Sequence, residues 1–199
     1  MSRFIETIRA AHGEPQMISL HQQRVDSTLK AWPGSQAVAL SAILSGLDFN
    51  AYPSTRIRIE YGTEGIIKVE TFEYTVRQIR SVRIMEIGEH DYRYKYADRA
   101  WINELLRTSG CDEIIMVRDG MVTDASIANL AFLDGRDWIT PNTPLLAGTM
   151  RKKLLEQGMI REAPIKLDKL QWFDKIKLMN AMLPWEKSPE LPIDMIRLI

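Results

Sequence analysis

The sequence predicts an α+β fold, because helical and strand patterns are mixed along the chain without the regular alternation of a doubly wound sheet. Its 199 residues, of which 45% are hydrophobic and 26% charged, suffice to bury a sizeable core in one large domain or two small ones. The pattern of elements changes at about residue 90. We therefore expect a small N-terminal α+β domain over residues 1–85 and a larger C-terminal domain over residues 86–199.

The N-terminal part predicts two helices and three strands. Apolar and polar residues alternate over residues 3–9, which predicts a strand, and the HGEP that follows predicts a turn. Over residues 19–32 apolar side chains recur at close to helical spacing, with Ser19 suited to the N-cap. Residues 36–47 are apolar enough to predict a second, mostly buried helix. Two alternating strands that meet near Gly62 and Gly65 predict a hairpin.

The C-terminal part begins with a predicted helix over residues 98–110, which has an aspartate near its start and a glycine at its end. Two pairs of short strands follow, one around Asp119-Gly120 and one around Asp134-Gly135. A short helix over residues 149–158 and a strand over residues 175–182 complete the predicted elements.

Composition excludes several classes of function. The 26 basic and 26 acidic side chains cancel, so no charge surplus argues for nucleic acid. The single cysteine, Cys111, cannot form an internal disulfide, and His12, His21 and His90 lack metal-ligand spacing, so we expect no metal site. No apolar run approaches the roughly 20 residues of a membrane-spanning helix, and the N-terminus lacks an apolar core with a cleavage site. We expect a cytoplasmic protein without a membrane partner.

Lys95 is the first residue that suggests chemistry. It lies between two aromatic residues in YRYKYADRA, residues 92–100, where an extended segment turns into a helix. One interpretation is a surface lysine whose stem lies along the protein. The other is a desolvated amine that forms an imine with a carbonyl compound. This stretch alone leaves both interpretations open.

Five fragments in a fixed order carry a resemblance to a known family. They are FIETIR, HQQR, VTDASIANLAF, AGTMR and LMNAM. In this order they resemble the class-IV aminotransferases, the fold-type IV pyridoxal phosphate enzymes, which include branched-chain and D-amino acid aminotransferases and aminodeoxychorismate lyase. The resemblance covers most of the chain. It implies the D-amino acid aminotransferase-like fold, in which a small α+β domain and a larger pseudo-barrel domain hold pyridoxal 5'-phosphate between them.

The resemblance assigns Lys95 as the catalytic lysine, whose amine binds the cofactor and later moves the substrate's α-proton. A carboxylate must face the pyridine nitrogen, and Asp124, 29 positions after Lys95, lies where the family generally has Glu. Because Asp is one methylene shorter, either the backbone approaches more closely, or a water intervenes, or the contact is weaker. The alternative interpretation of Asp124 is an ordinary turn residue.

The cofactor phosphate requires positive charge and backbone donors. Arg24, in HQQR, matches the family's phosphate-binding arginine. Gly148, Thr149 and Met150 open the helix over residues 149–158, whose first amides favour an anion. Many relatives have Thr in place of Met150, so one hydroxyl contact is absent here. The alternative is that these residues are an ordinary helix start.

Four further residues carry weaker assignments. Leu145, or its neighbour Leu146, falls where the family places an aliphatic side chain against the cofactor ring, although leucines are more often plain core. Asn180 matches an asparagine near the phosphate and substrate, or is a hydrogen-bonded residue at a strand end. Arg99 and Tyr94 are candidate substrate-binding residues, with a helix surface as the alternative for Arg99. Because side chains alternate in an extended segment, at most one of Tyr94 and Tyr96 should share a side with Lys95.

The implied function is that of an enzyme acting on a small amino substrate, normally as a homodimer. The fragments favour an aminodeoxychorismate lyase-like elimination that releases pyruvate and 4-aminobenzoate, a step of folate biosynthesis. The alternative is an aminotransferase of branched-chain or D-amino acid type, and a third is a non-catalytic binding protein with the same fold. The chain is short for the family, and the missing length falls in parts that shape substrate recognition.

Overall fold

The computed structural model of the chain describes residues 2–50 and 52–197. They fall into two compact units. The N-terminal unit comprises Met1–Val76 and Tyr94–Asp98, and the C-terminal unit comprises Arg77–Arg93 and Arg99–Ile199. The chain thus leaves the N-terminal unit after Val76 and returns to it at the short segment that carries Lys95.

The N-terminal unit is built on an antiparallel sheet. Its strands are β1 (Phe4–Ala11), β2 (Glu14–Pro15), β3 (Ser54–Gly62) and β4 (Gly65–Glu73), and they pair in the order β2-β1-β3-β4. His12 and Gly13 connect β1 to β2 with positive φ angles of 54° and 75°, as a two-residue hairpin turn requires. β1 therefore lies between two partners, where its backbone groups are paired on both sides.

Two helices complete this unit, α1 (Ile18–Lys30) and α2 (Leu40–Leu44). α1 buries His21, Val25, Thr28 and Leu29, whose spacing of three and four residues places them on one face. That face packs on a core to which the sheet and α2 also contribute, formed mainly by Phe4, Ile8, Leu40, Leu44, Ile57, Ile59 and Tyr61. The helix face that carries His21 is thereby fixed against β1 and β3.

The C-terminal unit contains two sheets. In chain order its strands are β5 (Val82–Glu86), β6 (Glu113–Arg118), β7 (Met121–Ala125), β8 (Asn129–Asp134), β9 (Asp137–Pro141), β10 (Arg161–Ala163), β11 (Lys175–Met179), β12 (Glu190–Pro192) and β13 (Ile196–Arg197). One sheet has the order β13-β5-β6-β7 and the other β10-β9-β8-β11-β12. Side chains from both, among them Ile115, Val122, Phe132 and Ile176, form one buried cluster. The loop that contains Ser126 connects β7 to β8.

Two helices lie between these strands, α3 (Ala100–Ser109) before β6 and α4 (Thr149–Glu156) before β10. Gly110 ends α3 with φ of 63°, a left-handed conformation that glycine adopts without strain. Short 3-10 helices occur at Leu167–Trp172, Trp185–Lys187 and Ile193–Met195. The mixture of helices with antiparallel and parallel strand pairs confirms the α+β class.

Several details of the predicted secondary structure differ from the observed elements. Of residues 36–47 only Leu40–Leu44 are helical, because the Gln22 side chain binds the Val38 carbonyl and the Leu40 N–H, both at 2.8 Å, and satisfies this backbone outside a helix. Ser19 is not the N-cap of α1, since Met17 takes that position with φ of 53°. The strands β2, β5, β10, β12 and β13 were not predicted.

The two units also differ from the expected division after residue 85. β5 pairs in parallel with β6, so Val82–Glu86 lies with the C-terminal unit. Tyr96 forms an isolated bridge with Phe4, so the segment Tyr94–Asp98 lies with the N-terminal unit. In both places, backbone pairing with residues distant in sequence determines the unit to which the segment belongs.

Candidate active site

Lys95 lies on a short extended segment beside β1. The N–H of Ile5 donates to the Lys95 carbonyl at 2.9 Å, and the N–H of Ala97 donates to the Arg3 carbonyl at 2.8 Å. Lys95 itself is half-buried. The backbone at Lys95 and Ala97 is therefore held against the first strand of the sheet.

The tyrosines on either side of Lys95 pack together in the core of the N-terminal unit. The rings of Tyr94 and Tyr96 lie 6.2 and 5.5 Å from the ring of Phe4 and 6.1 Å from each other. Tyr94 also makes an edge contact with Trp32 at 4.8 Å. Because side chains alternate in an extended segment, this packing implies that Lys95 leaves the opposite side. The proposed substrate-binding role of Tyr94 stays a prediction.

Arg24 projects from α1 onto a buried carboxylate. Its Nε donates to Oε1 of Glu6 at 2.8 Å and its Nη2 donates to Oε2 at 2.5 Å. His21, on the same helix, places Nδ1 2.6 Å from Oε2 of Glu6. Glu6 and His21 are fully buried. The guanidinium is thus oriented through its Nε–Nη2 edge, and a phosphate would have to use the Nη1–Nη2 edge.

Glu6 is ionised in spite of its burial. Burial alone would raise its pKa, but the positive charge of Arg24 and hydrogen bonds from Arg24 and His21 outweigh that effect and lower the pKa to about 2. A charge in such surroundings persists only where its partners are present. Glu6 was not predicted as part of the site, although it lies in the FIETIR fragment.

In the C-terminal unit, Asp124 lies near the end of β7 and is 4% exposed. Its Oδ1 accepts a hydrogen bond from Asn129 Nδ2 at 2.6 Å, and its Oδ2 accepts one from the Leu146 N–H at 2.9 Å. Burial raises the pKa of Asp124 to about 6, although hydrogen bonds from Leu146, Asn129 and Leu145 and the charge of Arg151 oppose the rise. Because burial outweighs these interactions, a cationic ligand group would further stabilise the ionised carboxylate.

Gly148 is the N-cap of α4, with φ of −71° and ψ of 145°. Any residue can adopt these φ and ψ angles. A Cβ at this position, however, would lie 1.9 Å from Oδ1 of Asn129, so only glycine fits beside this side chain. Thr149 and Met150 follow and are buried. The first amides of α4 and the helix dipole favour an anion at this end.

Arg151 fastens the start of α4 to the end of β9. It is 6% exposed, and its guanidinium binds the Pro141 carbonyl at 2.9 Å, the Thr140 hydroxyl at 3.3 Å and the carboxylate of Glu162. The fragment AGTMR was predicted to contribute its first residues to the site. The structural role of its arginine was not predicted.

Arg99 and Asn180 both contact the loop that follows Asp124. Arg99 donates from Nη2 to the Ser126 carbonyl, and Asn180 donates from Nδ2 to the Ile127 carbonyl at 3.3 Å. Asn180 also accepts from the Met182 N–H at 2.9 Å. Arg99 is therefore tied to the protein at Nη2, while its Nε is buried without a hydrogen-bond partner in the described part of the chain.

The two adjacent leucines differ in their surroundings. The side chain of Leu146 is half-buried, whereas that of Leu145 is buried and lines a cavity of about 690 Å³ in the C-terminal unit. Thr123, Thr143 and Arg118 also line this cavity. Leu145 thus belongs to the wall of a cavity, and a role against the cofactor ring stays a prediction.

These residues fit pyridoxal phosphate. The C-terminal unit holds a buried carboxylate of raised pKa, whose charge suits a protonated ring nitrogen, and, close to it, a helix start at which a Cβ would overlap Asn129. The N-terminal unit holds a half-buried lysine and an arginine already oriented by a buried carboxylate. Each unit therefore carries its own part of the chemistry that the cofactor needs.

Comparison with known proteins identifies the family. The sequence profile of the amino-transferase class IV family matches residues 3–186. An uncharacterized protein of Haemophilus influenzae is 38% identical over 186 residues, which are 92% of this chain and 98% of that protein. The chain therefore belongs to the class IV aminotransferases, a family of pyridoxal phosphate-dependent enzymes.

Named relatives include both lyases and aminotransferases. A Schizosaccharomyces pombe protein provisionally named an aminodeoxychorismate lyase is 29% identical, covering 85% of this chain and 81% of that protein. A crystal structure from Haemophilus somnus 129PT, provisionally named a 4-amino-4-deoxychorismate lyase, has a TM-score of 0.83 and 36% identity, covering 92% of this chain and 97% of that one. A pyridoxal phosphate-bound aminotransferase structure from Mycobacterium tuberculosis has a TM-score of 0.74 at 18% identity, covers 96% of this chain and 80% of that one, and supports the fold alone.

Two kinds of feature are absent from the described part of the chain. Among residues 2–50 and 52–197, no helix has the length and apolar character that crossing a membrane demands. Across the same described ranges, no group of three or more His, Cys, Asp and Glu side chains is arranged to hold a metal ion.

Proposed function

We propose that this chain catalyses the elimination of pyruvate from an aminodeoxychorismate-type substrate, leaving 4-aminobenzoate. The 36% identity to the Haemophilus somnus protein, over nearly the whole of both chains, carries this proposal. Met150 supports it, since lyase-like members often have Met in this motif. If this is the reaction, the enzyme serves folate biosynthesis.

Each site residue has a defined task in this proposal. When bound, pyridoxal phosphate supplies an electron-withdrawing ring that accepts the electron pair released at the substrate. Lys95 binds the cofactor through its amine and then moves the substrate proton. Asp124 stabilises the protonated pyridine nitrogen by its charge. Arg24 and the amides of Thr149 and Met150 bind the phosphate.

The elimination uses one proton transfer at a defined carbon. Lys95 removes the proton from the ring carbon that bears the amine, and the adjacent carbon–oxygen bond breaks. The ring becomes aromatic, and the leaving enolpyruvate takes up a proton to become pyruvate. Substrate and products balance without another reactant, so no second substrate is required.

The second candidate is amino transfer to a 2-oxo acid, as in branched-chain or D-amino acid aminotransferases. The family match supports it, because the same lysine, carboxylate and phosphate-binding residues serve that reaction. Arg99, Asn180, Leu145 and Tyr94 are the residues that we expect to distinguish substrates. A non-catalytic binding protein with this fold ranks third, because Lys95 is present.

We further propose that the enzyme works in the cytoplasm as a homodimer. The single cysteine fits a reducing compartment. Class IV enzymes normally pair two chains around the cofactor, and the matched length covers most of the related proteins. Sedimentation of the holoenzyme tests the dimer.

The experiment that tests the function incubates purified protein and pyridoxal phosphate with aminodeoxychorismate and measures 4-aminobenzoate and pyruvate. We expect both products in equal amounts from the wild type and none from Lys95→Ala, whose fold is checked by circular dichroism. Borohydride treatment should add the mass of the reduced cofactor to the Lys95 peptide in the wild type alone. Amino transfer from an amino acid to a 2-oxo acid, without 4-aminobenzoate, would favour the second candidate. Absence of any cofactor adduct in folded wild type would favour the third.

A further inference from the structure

Asn129 connects the two parts of the candidate site that lie in the C-terminal unit. It is the first residue of β8 and is 6% exposed. Its Nδ2 donates to Oδ1 of Asp124 at 2.6 Å and to the Leu146 carbonyl at 2.8 Å. The Leu146 N–H in turn donates to the other oxygen of Asp124 at 2.9 Å. These three residues form a closed ring of hydrogen bonds.

The other end of the same amide lies against Gly148. Both contacts of Nδ2 are with acceptors, so the chemistry fixes which end of the amide is nitrogen, and Oδ1 faces the start of α4. A Cβ on Gly148 would lie 1.9 Å from Oδ1 and 3.1 Å from Cγ of Asn129. The side chain therefore occupies the space that a larger N-cap residue would need.

We propose that Asn129 is a positioning residue that sets the carboxylate of Asp124 and the N-terminus of α4 in register for the two ends of one cofactor. The inference rests on the proposed use of pyridoxal phosphate. Only a neutral amide supplies two N–H donors for the Asp124 and Leu146 acceptors together with an oxygen of this size beside Gly148. An aspartate in its place would set two carboxylates 2.6 Å apart, and an alanine would leave Asp124 and the Leu146 carbonyl each without a donor.

The packing part is tested on the protein without cofactor. Gly148→Ala is expected to lower the melting temperature, because the new methyl overlaps Oδ1 of Asn129. Adding Gly148→Ala to Asn129→Ala should cause little further loss, because the overlapping atoms are gone, and the two effects should be strongly non-additive. Gly88→Ala is the matched control, since a Cβ at Gly88 meets nothing within 4 Å. Additive losses at Gly148 and Asn129 would overturn the packing.

The positioning part is tested by titrating each variant with pyridoxal phosphate and following the absorption of the bound cofactor. Asn129→Ala should bind about 10- to 100-fold more weakly than the wild type, the usual effect of removing a hydrogen bond to a charged group. Gly88→Ala should bind like the wild type. If Asn129→Ala binds equally well, the positioning role is wrong, whereas a wild type that does not bind refutes the proposed function as well.

A pH profile separates positioning from mere structural support. In Asn129→Asp, the carboxylates at positions 124 and 129 can share one proton at low pH, which restores both the hydrogen bond and the single negative charge. Arg151 on α4 is the other charged group that acts on Asp124, and it remains charged throughout. The affinity of Asn129→Asp relative to the wild type should therefore recover as pH falls, whereas that of Asn129→Ala should decline, because losing the Asn129 hydrogen bond raises the pKa of Asp124 further and protonates this carboxylate earlier. Parallel profiles for the two variants would overturn the inference.

Discussion

Replacing Asp124 with asparagine should change how the stability of the cofactor-free protein depends on pH. The pKa of Asp124 is raised to about 6 in the folded chain, against 3.8 for an ordinary aspartate. Between these values the folded chain holds a proton that the unfolded chain has released, so stability falls as pH rises through this window. The full change corresponds to about 3 kcal/mol. Above about pH 7 the ionised, buried carboxylate destabilises the wild type by this amount.

The amide that Asp124→Asn introduces cannot titrate, so its contribution to stability is constant. One end of this amide meets a donor, either the Leu146 N–H or Asn129 Nδ2, and the lost hydrogen bond costs roughly 1–3 kcal/mol at every pH. The difference between the two proteins therefore isolates the titration, because other carboxylates, including Glu6, cancel. We expect the stability of the wild type relative to Asp124→Asn to fall by roughly 2 kcal/mol between pH 4 and pH 7, which is most of the full change.

The assay is urea unfolding of both proteins, followed by circular dichroism at pH values from 4 to 8. Curves of stability against pH that run parallel would show that Asp124 titrates normally and would refute the reasoning. A wild type that gains stability relative to the variant as pH rises would mean that a cation already compensates the carboxylate. Saturating pyridoxal phosphate should stabilise the wild type more than the variant, since binding to the folded state adds stability in proportion to the logarithm of affinity.

Three further substitutions test other contacts. Glu6→Gln should lower the free energy of unfolding by about 3 kcal/mol at pH 7, because the pKa of Glu6 is lowered to about 2 in the folded chain. This loss should shrink as pH falls from 4.5 towards 2, and urea unfolding at several pH values measures it. If Arg24 binds the phosphate as proposed, the same variant should bind pyridoxal phosphate more weakly with little change for pyridoxal, because Glu6 orients Arg24; equal losses for both ligands would contradict this role. Arg151→Lys should lower the free energy of unfolding by roughly 2 kcal/mol, because a lysine ammonium cannot reproduce the planar, multiple contacts of the guanidinium. The exposed Arg161→Lys is the control, and equal effects of the two substitutions would refute the anchoring role of Arg151. Tyr94→Phe should retain both stability and substrate affinity if ring packing is its main task, and a rise in KM alone would instead establish a substrate contact.

Local sequence patterns predicted those elements that turn residues and hydrophobic periodicity determine without contacts from distant residues. The Asp119-Gly120 pair has positive φ at both residues, 51° and 71°, and joins β6 to β7 as its chemistry predicts. The helix predicted over residues 36–47 was mostly wrong, because apolar residues occur both in a buried helix and in a packed loop. The Gln22 side chain, distant in sequence, satisfies their backbone and decides between the two.

The candidate site shows the same limit at the level of single residues. Asp124 and Gly148 could be chosen as candidates because each lies in a fragment that resembles the family, and Lys95 because it lies between two aromatic residues ahead of a predicted helix. Asn129 lies in the same fragment as Asp124, yet its importance depends on Leu146 and Gly148, which the fold brings next to it. Motif order therefore indicates candidate groups for a ligand, whereas the residues that would position them become visible only from contacts in the fold.

Glu6 and Asp124 show how one chain uses two buried carboxylates in opposite ways. Glu6 has its cationic partner built in, Arg24, and its pKa is lowered to about 2. Asp124 has neutral donors and a raised pKa of about 6, so its negative charge is poorly compensated in the protein alone. A protonated pyridine nitrogen is the kind of partner that would compensate it. The uncompensated charge of Asp124 thus destabilises the cofactor-free protein and would also favour binding of a cationic cofactor group. A substitution at this position that stabilises the cofactor-free protein should therefore weaken cofactor binding.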